Sequence, residues 1–298
     1  MEPVPSQTAH SGQTILVAGR QVTTTGPLQF DEIGRWSELK LEIIEKYGAA
    51  YTSALRNARN LKKFYIDGYC GPGVHVSRRT REPVEGSPAR ALRVLPPFDG
   101  FYFVDMDVAR TSHLETLCKG RNDVVILTGD ANVKLTQEVL PKIHFHKFNR
   151  ALCLLDPYGL HLDWEVVFLA GQSQAIDMFL NFPVMDMNRN AIWRNPKGVP
   201  QDGIERMTRF WGDESWKKVA YLESAQGDLF LDPPLVKQDN DAIVSAFRDR
   251  LKNVAGFKYV LNPLPMKNSN NTVVYYLFLA SQKAVAEKII RDIFAKYR

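Results

Sequence analysis

Phe64-Tyr65-Ile66-Asp67-Gly68-Tyr69-Cys70-Gly71-Pro72-Gly73 is the stretch on which the fold turns. A short apolar run ends in an acid and passes directly into three closely spaced glycines. Glycine behind a strand lets the backbone turn tightly and approach a ligand with no Cβ in the way. Taken alone, a Gly/Pro cluster after a strand is only a turn. The flanking sequence decides.

The same pattern recurs along the chain. Residues 101–105, 124–128, 152–156 and 176–181 are further short apolar runs, each closing on an acidic or polar residue. Between them the spacing predicts helices near 87–95, 108–119, 131–140 and 162–171. Short apolar runs that alternate with helices are the signature of a parallel sheet buried on both faces. In such sheets the ligand sits outside the carboxyl ends of the strands. Asp67, Asp105, Asp156 and Asn181 all stand at those ends.

Upstream, apolar residues from Trp36 to Leu55 recur at helical spacing and predict a long amphipathic helix. Residues 1–35 read as an N-terminal arm, in which 14–19 and 21–25 can pair as a hairpin. Downstream of Asn181 the rhythm breaks, and 185–255 reads as a helical cap inserted over the site. Residues 257–266 and 273–280 flank a turn and must be antiparallel, with a final helix over 282–297. The expected fold is therefore α/β: a Rossmann-like class I methyltransferase sheet, mostly parallel, seven-stranded, with an antiparallel C-terminal hairpin and a helical insertion. A dinucleotide-binding Rossmann domain continues instead with a sixth parallel strand, so a nicotinamide-dependent oxidoreductase is disfavoured.

Composition agrees with a folded domain. The 298 residues are 45% hydrophobic and 24% charged, and no apolar run approaches the roughly 20 residues of a membrane span. No signal peptide is evident. Cys70, Cys118 and Cys153 are scattered and odd in number, which argues against a disulfide framework or a zinc ribbon and for a reducing, cytoplasmic setting. The net charge is +5, and nine Lys/Arg against three acids lie between Arg56 and Arg93. Either a solvated face or a polyanionic partner accounts for that strip. Arg78 and Arg79 follow the glycine stretch and are the candidates for an anionic substrate.

Four motifs carry the chemistry. Gly68, Gly71 and Gly73, with Asp67, resemble the glycine loop that cradles the amino-acid part of S-adenosylmethionine, with shifted spacing. A basic loop over 74–85 follows, and a helix begins at Ser87-Pro88 with Ser87 as its cap. Asp105 is placed to accept from ribose hydroxyls, with Asp107 as competitor. In Thr128-Gly129-Asp130-Ala131-Asn132, Asp130 can accept from an adenine amino group while the Ala131 N–H donates to the ring. Each acid can equally serve as a helix cap. In Leu154-Leu155-Asp156-Pro157-Tyr158-Gly159, the Asp156 carboxylate and a backbone carbonyl can accept both protons of an amine while Tyr158 stacks on its ring. That arrangement aims the nitrogen lone pair and tolerates positive charge in the transition state. A strand-end turn capped by Asp156 is the alternative. Methyltransferases of exocyclic amines carry Asp/Asn-Pro-Pro-Tyr/Phe here, and the tRNA N2-guanine dimethyltransferases a similar single-proline form.

Two features are weaker. Asn181 and Arg189 are candidates to clamp a phosphate or carboxylate above the sheet edge. His144 and His146 have strand-like spacing, but no carboxylate or cysteine completes a ligand set, so no metal is expected.

Together the blocks Asp67-Gly68-Tyr69-Cys70-Gly71-Pro72-Gly73, Gly86-Ser87-Pro88, Thr128-Gly129-Asp130-Ala131-Asn132, Leu155-Asp156-Pro157-Tyr158-Gly159 and Met187-Asn188-Arg189-Asn190 resemble the three-Cys-motif partner protein (TcmP) family over about residues 36–296. The resemblance implies a methyltransferase-like domain that works beside a radical-S-adenosylmethionine-like three-Cys-motif protein. The expectation is an S-adenosylmethionine-dependent methyltransferase of an amino nitrogen in a nucleobase or nucleic acid. The alternative is a non-catalytic methyltransferase-like partner subunit.

Overall fold

The computed structural model describes residues 14–17, 20–23, 30–223 and 235–297. Its central sheet has five parallel strands: β1 (Lys62–Asp67), β2 (Gly100–Asp105), β3 (Val124–Thr128), β4 (Asn149–Leu155) and β5 (Ile176–Phe182). Three antiparallel strands complete it: β6 (Tyr259–Val260), β7 (Leu264–Lys267) and β8 (Val273–Ser281). The order across the sheet is β6-β8-β5-β4-β1-β2-β3, with β7 also on β8. This is the mostly parallel α/β arrangement expected. The sheet has eight strands rather than seven, because the sixth expected strand breaks at residues 261–263. Pro263 has no N–H to donate there, and the second proline, Pro265, faces solvent on an edge strand.

Ten helices cover the sheet among the described residues: α1 (Arg35–Ala54), α2 (Ser87–Leu92), α3 (Val108–Leu117), α4 (Ala131–Lys134), α5 (Trp164–Gln172), α6 (Val184–Asn190), α7 (Gln201–Trp211), α8 (Trp216–Ala220), α9 (Asn240–Asn253) and α10 (Ala284–Phe294). The alternation of a strand puts successive side chains on opposite faces. Ala151, Cys153 and Leu155 of β4 therefore join the core under α5, α7 and α9, while Leu152 and Leu154 join the one under α1 and α10. Burial on both faces is why these runs read as continuously apolar, each large side chain contributing roughly 1.5–3 kcal/mol. All three cysteines are buried and unbridged. No described helix is long and apolar enough to cross a membrane.

The expected basic loop over 74–85 is instead a hairpin. Val74–Ser77 pairs antiparallel with Pro83–Glu85, and Glu32–Ile33 adds a parallel third strand. Helix α2 is capped by Gly86, not Ser87, and Pro88 stands at the second helical position. A Cβ at Gly86 would press on the Gly73 backbone at 3.0 Å, and the Gly86 N–H donates to the Gly73 carbonyl at 2.8 Å. The two ends of the hairpin are thus stitched together. In the 185–255 segment, Phe210, Trp211 and Phe247 pack with Phe182 and Phe278 against the sheet. Among the described residues of this segment, only Arg209 lines the cleft described below. Of the expected N-terminal arm, Thr14–Val17 and Arg20–Thr23 pair antiparallel, and residues 1–13, 18–19 and 24–29 lie outside the described residues.

Candidate active site

Strand order reverses beside β1, whose neighbours β4 and β2 lead away in opposite directions. A cleft of about 930 Å³ opens there, at the carboxyl ends of the strands. Gly68, Gly71, Asp105, Asp130, Ala131, Asp156, Tyr158 and Arg78 all line it. Residues as far apart in the chain as Gly68 and Tyr158 thus meet in one place.

The glycine stretch is anchored on both sides of the reversal. The Gly68 N–H donates to the Leu154 carbonyl at 3.0 Å, and Cys70 N–H to the Val104 carbonyl at 3.0 Å. Asp105, 8% exposed, accepts from the Gly71 N–H through Oδ2 and from the Asp107 N–H through Oδ1, both at 2.9 Å. Gly71 holds a left-handed φ of 64°, which only glycine adopts at little cost. Gly68 is needed for a different reason: a Cβ there would meet Leu135 at 2.9 Å and Leu155 at 3.0 Å. Gly73 is buried behind the loop, off the cleft wall, where a Cβ would strike Leu114 at 2.9 Å. Two of the three glycines therefore serve packing.

Asp67 lies fully buried beneath this loop. Its Oδ1 accepts from the Tyr69 N–H at 3.4 Å, and its Oδ2 has no partner. Burial, and to a lesser degree the negative Asp156, pushes its carboxyl up to about 7, against the pull of Ser87, Tyr69 and Lys40. His75, on the inserted hairpin, also faces the cleft with a buried, unpartnered Nδ1. Burial and then Lys40 lower it to about 4, so it is a neutral imidazole at neutral pH.

Across the cleft, Asp107 caps α3, accepting from Ala109 N–H at 2.7 Å and Arg110 N–H at 3.3 Å. Asp130 caps α4, accepting from Asn132 N–H at 2.8 Å. Asn132 and Tyr69 both donate to the His161 carbonyl at 3.1 Å, and the Asn132 side chain accepts from Asp163 N–H at 2.8 Å. These bonds hold the segment after Asp156 against the glycine loop.

Asp156 sits at the centre. Its Oδ2 forms an ion pair with Lys40 of α1, and its Oδ1 accepts from the Asn181 side-chain amide. Asn181 lies behind Asp156, 3% exposed, with its own Oδ1 unpartnered. Pro157 is buried, and Tyr158 stands 89% exposed at the rim. Gly159 turns the chain at φ 62°, with the Asp186 carboxylate packed where a Cβ would go and accepting from Leu160 N–H at 3.1 Å.

Other expected site residues lie elsewhere. Arg79 is exposed off the cleft wall, and Arg189 is exposed on α6. The basic rim is also thinner than its sequence suggests. Arg81 pairs with Glu32, Arg90 with Glu45 at 2.6 Å, and Arg93 with Glu85 at 2.6 Å. The cleft is lined by seven carboxylates, among them Asp31 and Asp163, against four Lys/Arg. Its field suits a ligand that carries positive charge. His144 precedes a 3-10 turn, Phe145–Lys147, and His146 lies within it rather than on a strand; no described residues group as three or more metal-ligating side chains.

Lys40, like His75, is a cleft residue that sequence reasoning missed. It had a signal: a lysine in phase with the buried Ile43, Ile44 and Tyr47 of α1.

The donor set fits S-adenosylmethionine. Asp105 and Asp130 offer acceptors for ribose hydroxyls and an amino group, the orphaned Asp67 oxygen lies under the loop, and the carboxylate-rich wall suits a sulfonium. No family model and no curated protein matches the sequence. Among solved structures, protein LPL1258 from Legionella pneumophila is similar over 88% of this chain and 92% of its own, with a TM-score of 0.50 and 12% identity. Looser likenesses are Trm5b from Pyrococcus abyssi (12% identity, 92% and 56% covered, TM-score 0.39) and Aeropyrum pernix fibrillarin with S-adenosyl-L-methionine bound (10%, 93% and 85%, 0.34). At such identities the likeness is one of fold.

Proposed function

We propose that this chain is a class I, S-adenosylmethionine-dependent methyltransferase acting on an amino nitrogen of a nucleobase, in a nucleotide or nucleic acid. One observation carries the reading: Gly68 and Gly71 of the glycine loop, Asp105 and Asp130 share a single cleft with Asp156 and Tyr158 at the point where strand order reverses. When bound, the cofactor supplies an electrophilic methyl group on a sulfonium. Asp105 holds the ribose, Asp130 and the Ala131 N–H the adenine, and the loop from Gly68 to Gly71, over Asp67, the methionine end. Asp156 keeps acceptor capacity beyond Lys40 and Asn181, since a carboxylate has about four lone-pair sites. With the Pro157 carbonyl it orients the acceptor amine, and Tyr158 stacks on the ring.

Calorimetry of the full chain with S-adenosylmethionine and with NAD tests the cofactor part. The former is expected to bind and the latter not. If neither binds, the roles of Asp105 and Asp130 fall together.

A second reading keeps the cofactor or a partner and drops the chemistry: a methyltransferase-like subunit beside a three-Cys-motif protein, as in the TcmP family. The hairpin Val74–Ser77/Pro83–Glu85 and the engagement of both Asp156 oxygens favour it. Methyl transfer to nucleic acid by the isolated chain removes this reading.

A further inference from the structure

The end of the sheet opposite the cleft carries groups that methyl transfer does not use. Strand β4 joins the two ends: it begins with Asn149-Arg150 and leads into Asp156, its seven residues spanning roughly 20 Å. The stretch that leads into it and includes its first two residues, Lys142-Ile143-His144-Phe145-His146-Lys147-Phe148-Asn149-Arg150, holds three Lys/Arg, two histidines and no acid.

The carboxylates at this edge are already engaged. Asp99 is taken by Lys63 at 3.5 Å, Asp123 by Arg121 at 2.5 Å, and the buried Asp177 accepts from Tyr47 and Ser281. Lys62, Lys142, Lys147 and Lys283 are exposed; among the described residues none of the four forms a close ion pair, and only Lys283 feels a carboxylate, the buried Asp177. Neighbouring positions expose aromatic rings. Phe148 is 59% exposed, and its carbonyl accepts the Lys62 N–H at 2.9 Å, which fixes it beside β1. The His144 and His146 rings lie 6.4 Å apart and within 15° of parallel. Phe145 is occupied by the Arg150 guanidinium, 3.8 Å from its centroid.

We propose that this edge is a docking surface for single-stranded nucleic acid, distinct from the cleft. Unpaired lysines beside solvent-facing aromatic rings supply what such a strand needs: cations for the phosphates and flat faces for unstacked bases. A duplex keeps its bases stacked and leaves the rings without use. The cleft, with its surplus of carboxylates, is the poorer home for a polyanionic backbone, so the phosphates dock at the edge while a single base enters the cleft. This placement rests on the nucleic-acid part of the proposed function and not on the cofactor.

The test is fluorescence anisotropy of the full chain with a labelled 20-nucleotide oligouridylate over a salt series, without cofactor. Wild type is expected to bind, weakening steeply with salt. The double variant Lys142→Glu/Lys147→Glu is expected to bind at least tenfold more weakly, with the log–log salt slope reduced by about 1.4. Phe148→Ala is expected to weaken binding several-fold at an unchanged slope. Thermal melts confirm that the variants fold. No binding by wild type overturns the proposal, as does equal binding by the double variant. Loss on Arg78→Glu/Arg79→Glu alone returns the polyanion to the cleft mouth and also overturns it. Equal retention of anionic phospholipid vesicles by wild type and Phe148→Ala, with no oligouridylate binding, makes the edge a membrane contact instead. Calorimetry with S-adenosylmethionine is untouched by any of these results, so the two readings fail separately.

Discussion

Lys40 and Asp156 stand 116 positions apart in the chain and form an ion pair at the floor of the cleft. The Lys40 side chain is only 8% exposed, and its ammonium otherwise faces the Tyr275 ring, 5.5 Å from the centroid. Asp156, 32% exposed, is the member that reaches solvent. The pair joins α1 to the end of β4, so it couples the outer helix layer to the position proposed for the acceptor amine.

Asp156→Ala is expected to abolish methyl transfer while S-adenosylmethionine affinity stays within about threefold, because Asp105 and Asp130 are untouched. It also leaves the Lys40 ammonium without its counter-charge, at a cost on the order of 1–3 kcal/mol. Lys40→Met, which removes the charge in question, is expected to be the milder of the two in a thermal melt. Loss of cofactor binding in Asp156→Ala makes Asp156 a structural residue.

Asp105 and Asp107 competed for one role on sequence, and their hydrogen bonds separate them. Asp105→Ala frees the Gly71 N–H and is expected to weaken S-adenosylmethionine binding at least tenfold by calorimetry. Asp107→Ala removes the α3 cap at about 1 kcal/mol of stability and leaves the affinity nearly unchanged. The reverse ranking exchanges their assignments.

Asp67 gives a pH signature. Its carboxyl titrates near 3.8 when unfolded and about 7 when folded. Between those values the folded chain holds the extra proton, so stability falls as pH rises from about 4 to about 7 and levels off above. Asp177, raised to about 6 by burial, adds a similar slope over a narrower window. Asp67→Asn is expected to melt above wild type at pH 8, with the gap closing toward pH 4. Parallel melting curves across pH 4–8 contradict the buried, raised carboxyl.

Tyr158 is 89% exposed and packs on nothing that stability needs. Tyr158→Ala is expected to change stability by less than about 0.5 kcal/mol. Loss of a stacked base costs roughly 1–3 kcal/mol, so catalytic efficiency is expected to fall about tenfold or more in a methyl-transfer assay. Unchanged kinetics remove it from the acceptor site.

Much of the frame was legible because its signals are local. Five apolar runs closing on polar residues, each followed by helical spacing, specify parallel strands and their ligand-facing ends without reference to the rest of the chain. Asp105, Asp130 and Asp156 were placed at the strand ends this way, and all three line the cleft. Gly68 lines it too, whereas Gly73 lies behind the loop, and the packing of both glycines against Leu135, Leu155 and Leu114 was not legible. Such neighbours depend on how helix and strand meet. The arginine strip misled for the same reason: Arg90 and Arg93 look unpaired in sequence, while Glu45 of α1, 45 and 48 positions upstream, lies beside both.

By itself, then, the sequence determined the alternation of strands and helices, the closing hairpin and the polar ends that make a ligand cleft. These follow from periodicities of 2 and 3.6 that act over a few residues. Only the tertiary structure decided that Lys40 pairs with Asp156, that 74–85 folds as a hairpin on Glu32–Ile33, and that Lys62 stands beside Phe148 at the far edge. Charges and caps find their partners through space, and space is set by strand order, which no local pattern contains.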